Sequence, residues 1–466
     1  MQSKFAKLLK LPVIASFLIF SMSAIETWSP TYSWHDQQRA SQLFLLISAA
    51  VALPFLNQKA IDQRNLAKIL LIFTCGAISA WCASYPAWAF LEWAHYMGLV
   101  LLSLMVGTLH QERAQLQILG VMAAVTTALA FQSFVYFATA LANEPYILSA
   151  DLLFNGFSNP RFYSQFQVMA LPVTAALIEK SNQNGKKILS TCLLMALVSQ
   201  WCVALSLGGR GFILSILFSH AALMLIKIET WRIIKIQAIA ALLGLAFFLF
   251  FFELLPSWIN MDSAFRSSFR ASFSGRDHLW RLAWGMLNSH PWFGIGPMHF
   301  AANPNHIAAH PHQAWLQWAA EWGVPAATLI TVLAVAGSLK GAIYIKTAPN
   351  NSTLDQALWA AIIGGLLLAQ VDGVFVMPYT ETWLAIIVGI CMARWNSPKP
   401  LGATSRIVVA AAGVVTIAIL AYTLITQVPA LPKTEEAYLE KFGTHGKPRF
   451  WQQGWIPMHP LSPSGS

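Results

Sequence analysis

Apolar runs recur along the chain from Leu11 nearly to Gln427. Each approaches the ~20 residues that a helix needs to cross ~30 Å of hydrocarbon. Thirteen spans are predicted, at 11–28, 41–56, 69–84, 90–109, 117–141, 167–179, 188–206, 211–226, 236–254, 324–339, 355–371, 383–394 and 407–427, the sixth and twelfth of them short. Short polar stretches separate most spans, but one long hydrophilic segment interrupts them before Val324. The pattern therefore predicts an all-α polytopic integral membrane protein of about 12–13 transmembrane helices with one large outer loop. It divides the chain into N-terminal spans (1–254), the loop (255–323), C-terminal spans (324–428) and a polar tail (429–466) without periodicity. Lys4, Lys7 and Lys10 precede the first apolar run, but no small-residue cleavage site follows, so 11–28 is expected to remain as a span.

Within the loop, Gly275 breaks a polar stretch, and Leu279, Trp280, Leu282, Ala283, Trp284, Met286 and Leu287 then recur at helical spacing. This predicts a helix lying along the membrane surface. "HPWFGIGP" ends it in a tight turn. Farther on, Pro311 between His310 and His312 bars helical geometry at His310, so the next helix can begin only around His312. From there Gln313, Gln317 and Glu321 form a polar stripe, and Trp315, Leu316, Trp318 and Trp322 an apolar wall. A cleft facing the outer leaflet is the expected result.

Composition agrees: of 466 residues, 56% are hydrophobic and only 10% charged, and mean hydropathy is +0.55, well outside the range of soluble domains. The net charge of +10 is scattered over short loops and forms no continuous patch interleaved with aromatics, which argues against nucleic acid. Its sidedness fits the positive-inside rule. With the N-terminus inside, the outer cations before the tail are Arg39, Arg161, Arg210, Arg266, Arg270, Arg276 and Arg281, all arginine, followed by Lys433, Lys441, Lys447 and Arg449 in the tail. Solvated charge would use lysine as readily, whereas the planar guanidinium grips carboxylate or phosphate at two points. The outer face is expected to handle an anion. The five cysteines all lie in apolar segments and form neither a disulfide framework nor zinc spacing.

Arg210, in the turn "SLGGRGF", stands in the first turn of a helix, where the dipole disfavours a cation unless an anion shares the place. The alternative is an arginine snorkelling to lipid phosphate. Arg276 begins the surface helix and is again placed to meet an anion, or else pairs with Asp277 at the surface. At the predicted cleft, a neutral imidazole at His312 is suited to take a proton from a hydroxyl nucleophile. His290, His299, His306, His310 and His312 crowd one segment, leaving structural histidines and metal binding as alternatives, although no carboxylate or cysteine stands at usual ligand spacing. "GFSNPRFYSQFQ" offers Arg161, Tyr163, Gln165 and Gln167, either as a sugar subsite or simply as a polar loop. In "DGVFVMPYTET", Asp372 and Tyr379 either orient an acceptor or cap helices, the second reading being preferred.

The two stretches "GRDHLWRLAWGMLNSHPWFGIGPMHF" and "HPHQAWLQWAAEWG" resemble the O-antigen ligase and polymerase superfamily of bacterial envelope glycosyltransferases. That family carries an outer arginine in a short turn, a second in a large periplasmic loop, a "W...P..G.G" turn and an "HxHN"-like motif, which Arg210, Arg276 and His312 match in order. "GFSNPRFYSQFQ" is similar to a motif of type IV pilin oligosaccharyltransferases. The resemblance covers roughly 155–323. It implies a GT-C-like enzyme of the bacterial inner membrane, facing the periplasm, that moves a glycan from undecaprenyl pyrophosphate to a hydroxyl without metal or other cofactor. In it Arg210 and Arg276 hold the pyrophosphate, His312 activates the nucleophile, and His310, Gln313, Asp277, Tyr379 and the 161–167 residues contact substrate. Gln313 departs from the family's Asn or Asp, and the outer tail favours a protein acceptor. The expected function is O-glycosylation of Ser or Thr on a pilin-like protein. Lipid A-core ligation and O-antigen polymerisation are the runners-up. A lipid-linked sugar transporter, with ionisable groups at mid-membrane, fits less well.

Overall fold

The computed structural model describes residues 2–56, 61–143, 147–149, 152, 155–226, 230–263, 275–348, 352–396 and 400–458. Arg266 and Arg270, two of the predicted outer cations, lie outside the described residues. A helix forms at every predicted span: α1 Gln2–Met22, α2 Trp34–Ala52, α3 Gln63–Trp81, α4 Pro86–Val106, α5 Glu112–Ala142, α6 Pro160–Gln183, α7 Lys187–Ser206, α8 Arg210–Ile226 and α9 Trp231–Phe248, then, after two loop helices, α12 Val324–Thr347, α13 Thr353–Leu368, α14 Pro378–Trp395 and α15 Ala403–Thr426. Among the described residues, seven helical stretches are long and apolar enough to cross a membrane, and three shorter helices are also apolar. The protein is an all-α, multi-pass membrane protein. Its only described extended pairing is a two-residue parallel bridge, Ile147–Leu148 against Asp262–Ser263.

The two spans predicted to be short are in fact full-length helices of 24 and 18 residues, α6 and α14. Their polar first turns are helical because they are buried. In α6, Tyr163, Gln165 and Gln167 are fully enclosed, as are Thr380, Glu381 and Thr382 in α14. Helix-to-helix packing supplies partners for Tyr163, Gln167, Glu381 and Thr382, so hydropathy alone understates both segments.

One end of the bundle carries Lys180, Lys340 and Arg394, three of the cations that the positive-inside reading puts in the cytoplasm. Lys180, near the end of α6, meets Glu112 at the start of α5 at 2.7 Å. Arg394 clamps Asp355 with Nε at 2.6 Å and Nη2 at 2.7 Å. At the opposite end a second network is almost closed to solvent. Arg39 of α2 pairs with Glu381 of α14, its Nη2 donates to the Val376 carbonyl at 2.7 Å, and its Nε donates to the Phe450 carbonyl at 3.0 Å.

The tail departs from expectation. Leu431–Phe442 forms a helix, α16. The chain beyond it then returns as an irregular strap whose Arg449, Phe450, Trp451, Trp455 and Ile456 are all buried. Asp36 accepts the Gln452 N–H at 2.7 Å, and Trp451 Nε1 donates to Gln427 at 2.7 Å. Large aromatic surface buried against the bundle holds this segment, a signal that polarity averaged over the tail conceals.

Candidate functional site

The loop helices are α10, Arg276–Ser289, and α11, Ala314–Trp322. Gly275, in the left-handed region at φ 76°, starts α10 where the sequence places the break. Leu279, Ala283 and Leu287, one turn apart, are buried against Leu316, Ala319 and Ala320 of α11. Trp280 Nε1 donates to the Pro311 carbonyl at 3.1 Å and so ties α10 to the His-Pro-His segment. The "FGIGP" turn closes on the end of α11, where Ile295 N–H donates to the Ala320 carbonyl at 2.9 Å and Gly296 N–H to the Glu321 carbonyl at 3.0 Å.

His312 precedes α11 at φ 56°, a conformation that side-chain-bearing residues seldom adopt. Gln313 caps the helix, its side-chain oxygen accepting the Leu316 N–H, while its amide nitrogen donates to Gln370 at 3.0 Å. The Ala314 N–H donates to the Ala369 carbonyl at 2.9 Å. These bonds press the His-Pro-His segment against the turn between α13 and α14. There the His312 Nδ1 lies 3.4 Å from Asp372 Oδ1 and 3.1 Å from His310 Nε2. The His312 ring keeps 23% of its surface open, whereas His310 is buried.

Burial lowers the basicity of His310 well below that of an ordinary imidazole, and the charges of His312 and Arg449 add to the effect. Burial pushes the Asp372 carboxyl up, but the hydrogen bond and charge of His312, the Gly373 N–H and the charge of Arg276 outweigh it and hold Asp372 below the usual carboxylate value. The sequence leaves Asp372 either to orient an acceptor or, as preferred, to cap a helix; in the structure it faces His312. Arg276 lies near enough to act on that carboxylate. Its expected surface partner Asp277 is bonded to Arg281 at 3.1 Å and, like it, is exposed.

The Gly209–Gly211 turn brings Arg210 to the same region. A methyl group on Gly211 would stand 3.0 Å from Leu368 and 3.2 Å from Val371, the neighbour of Asp372. Gly373 packs directly against the His pair, since a Cβ there would lie 2.5 Å from His310 Nε2. Gly373→Ala is therefore expected to push the His310 ring off His312 and reduce turnover at least tenfold, read in a transfer assay alongside an unchanged elution profile.

Other predicted site residues lie elsewhere. Tyr163, Gln165 and Gln167 do not line a cleft, because their part of α6 packs inside the bundle. The Tyr163 hydroxyl donates to Gln200 Oε1 at 2.6 Å, and Gln167 Nε2 donates to the same oxygen at 3.0 Å. Gln165 is fully buried, and neither of its amide atoms has a partner among the described residues. Arg161, by contrast, is exposed at the start of α6. Tyr379 is enclosed too, and donates its hydroxyl to the Ser21 carbonyl at 2.8 Å. The stripe of Gln317 and Glu321 also turns inward. Glu321 Oε2 accepts from Arg449 at 2.7 Å, and the same guanidinium reaches Glu92 at 2.6 Å. Trp322 packs its ring over Gly76 and beside Tyr96 in the core, where the expected interfacial wall would have left it exposed.

The five loop histidines separate as well. His299 accepts the Tyr85 N–H at Nε2, 2.9 Å away, and its Nδ1 faces the Pro297 carbonyl at 2.9 Å, so it fastens the loop to the start of α4. His290 and His306 are exposed. Among the described residues no three His, Cys, Asp or Glu side chains are grouped to hold a metal ion.

Fold and site together define a multi-pass membrane protein in which a partly open imidazole, paired with a carboxylate, is approached by two arginine-bearing helix starts. Residues 193–331 match the family model of O-antigen ligases, so this part of the chain is similar to the O-antigen ligase and polymerase superfamily. The matched stretch contains Arg210, Arg276 and His312, while Asp372, the 161–167 residues and the strap lie outside it. No curated protein matches the chain. The family supports a membrane enzyme of the ligase type carrying out O-antigen ligase-like glycosyl transfer.

Proposed function

We propose that the protein is an O-linked oligosaccharyltransferase, moving a glycan from undecaprenyl pyrophosphate to a Ser or Thr hydroxyl of a pilin-like protein at the periplasmic face of the inner membrane. The acceptor oxygen attacks the anomeric carbon and the bond from that carbon to the pyrophosphate oxygen breaks. The acceptor proton passes to His312, and the leaving pyrophosphate departs with the bonding pair. Arg210 and Arg276 offset its charge, each beside the N–H groups of a helix start. Asp372 orients the His312 ring and stabilises its protonated form. The observation that carries this reading is the His312–Asp372 pair at 3.4 Å, at the turn against which the Arg210 loop packs and within the field of Arg276.

Lipid A-core ligation is a second reading, favoured by the description of the matched family as O-antigen ligases. The two are separated with purified protein, lipid-linked oligosaccharide and either a pilin or lipid A core as acceptor. Glycan on the pilin alone supports the first reading, and glycan on the lipid core alone replaces it with the second. Because proton transfer and charge stabilisation are both assigned to side chains, transfer is expected to persist in excess EDTA. Activity lost on chelation and restored by a divalent ion would require a metal in the mechanism.

A further inference from the structure

His312 stands at the entrance of α11, and the C-terminal strap holds the far end of that helix. Glu321, in the last turn of α11, is fully enclosed. Its Oε1 accepts the Phe300 N–H at 3.0 Å, and its Oε2 accepts from Arg449 of the strap at 2.7 Å. Its carbonyl takes the Gly296 N–H at 3.0 Å and the Ser79 hydroxyl of α3 at 2.8 Å. One residue thus ties α11 to α3, to the "FGIGP" turn, to the His299–Ala302 segment and to the strap.

The Arg449 Nη2 that meets Glu321 also donates to Glu92 of α4 at 2.6 Å. The strap is fastened to α2 as well, the Phe450 carbonyl accepting from Arg39 Nε at 3.0 Å and the Gln452 N–H donating to Asp36 at 2.7 Å. Fastening the strap needs no second carboxylate. Glu92 alone matches the guanidinium in charge, and burying another acid costs its hydration. What Glu321 adds is a link to the loop helix. That helix has nine residues, a rigid rod of about 13 Å at ~1.5 Å each. Its first turn rests on the turn after α13, where the Ala314 N–H donates to the Ala369 carbonyl at 2.9 Å and Gln313 to Gln370 at 3.0 Å.

We infer that Arg449 and Glu321 are positioning residues: through their ion pair the C-terminal strap sets the seat of α11, and with it the place where His312 meets Asp372 and the acceptor hydroxyl. The inference rests on His312 being the base. A chain with both pyrophosphate arginines and His312 intact, but without this pair, binds its donor normally and transfers slowly.

The test compares charge-matched variants of the full-length protein in lipid nanodiscs. Glu321→Gln and Glu92→Gln each remove one negative charge from the same closed network, but only the first lies on α11. An amide has one acceptor oxygen, so it cannot replace a carboxylate that serves the Phe300 N–H with one oxygen and Arg449 with the other. Glu321→Gln is expected to lower kcat at least tenfold, with KM for the lipid-linked donor within twofold. Amide exchange at Ala314 and Gln317 should also quicken at least tenfold, while α13 and α14 exchange as in the wild type. Glu92→Gln should keep kcat within threefold and leave that exchange unchanged. Arg449→Gln should match Glu321→Gln, and the double variant should be no slower than either, because both cut one link. Arg449→Lys should recover part of kcat. Equal losses in Glu92→Gln and Glu321→Gln, or wild-type kcat and exchange in Glu321→Gln, overturn the inference. Should Arg449→Gln fail to fold, the two glutamate variants carry the test. If His312→Ala still transfers glycan, the base assignment fails, while exchange at Ala314 still decides whether the strap seats α11.

Discussion

Replacing His312 with alanine is expected to lower glycan transfer by between ~10²- and ~10⁴-fold, the range that a positioned general base supplies. Donor binding should change little, since the pyrophosphate is assigned to the two arginines. His312 holds a left-handed backbone, so alanine there keeps the strain and loses the ring contacts. His312→Asn is the sharper variant, because asparagine tolerates this region better than most residues and places no base in the site. Both are read as initial rates with lipid-linked oligosaccharide and acceptor, beside a thermal melt that reports folding. More than a tenth of wild-type turnover in either folded variant would remove His312 from the proton transfer. Asp372→Asn should fall between wild type and these variants, because it removes the charge that stabilises the protonated ring.

Substitution of Arg39 by methionine is expected to destabilise the protein by about 3–5 kcal/mol, the cost of stripping one partner from a buried ion pair. Arg39 is 1% exposed, and methionine fills much of the same volume. What is lost is compensation: Glu381, fully enclosed, would keep a carboxylate beside His95 and Gln42 without its guanidinium, and the Val376 and Phe450 carbonyls would lose the guanidinium as a donor. Arg39→Met combined with Glu381→Leu should recover part of the loss, as replacing both members of a buried pair by apolar groups often does. Denaturant or thermal unfolding in one detergent measures all three proteins. If Arg39→Met unfolds with the wild-type midpoint, the network is not what joins α2, α14 and the strap.

The helices were legible in the sequence because the membrane imposes a length and an apolar character on each, and the positions of Lys180 and Arg394 at one end of the bundle followed from the same rule. The beginnings of α10 and α11 were legible for a local reason, Gly275 and Pro311 being backbone punctuation that no packing overrides. What misled was polarity. Tyr163, Gln167, Tyr379, Gln317 and Glu321 carry hydrogen-bonding groups that resemble a ligand's contacts, yet tertiary packing satisfies most of them inside the bundle. A hint lay in their setting, since Gln and Tyr between apolar neighbours on a span are costly unless another helix answers them. Asp372 was visible as a residue but not as a partner, because its pairing with His312 spans 60 positions and only the fold brings them together. The strap was concealed for a similar reason: "RFWQQGWI" alternates aromatic and amide groups with no helical or strand period, and only its buried rings reveal its place.

The contacts at Arg39 reach across the chain to partners 342 and 411 residues away, and Asp36 waits for one 416 residues on. During synthesis α2 therefore enters the bilayer long before its counter-charge exists, with a guanidinium held at the lipid headgroups in the meantime. A ribosome stalled anywhere before Arg449 would leave every motif of the matched segment in place and that end of the bundle unlatched.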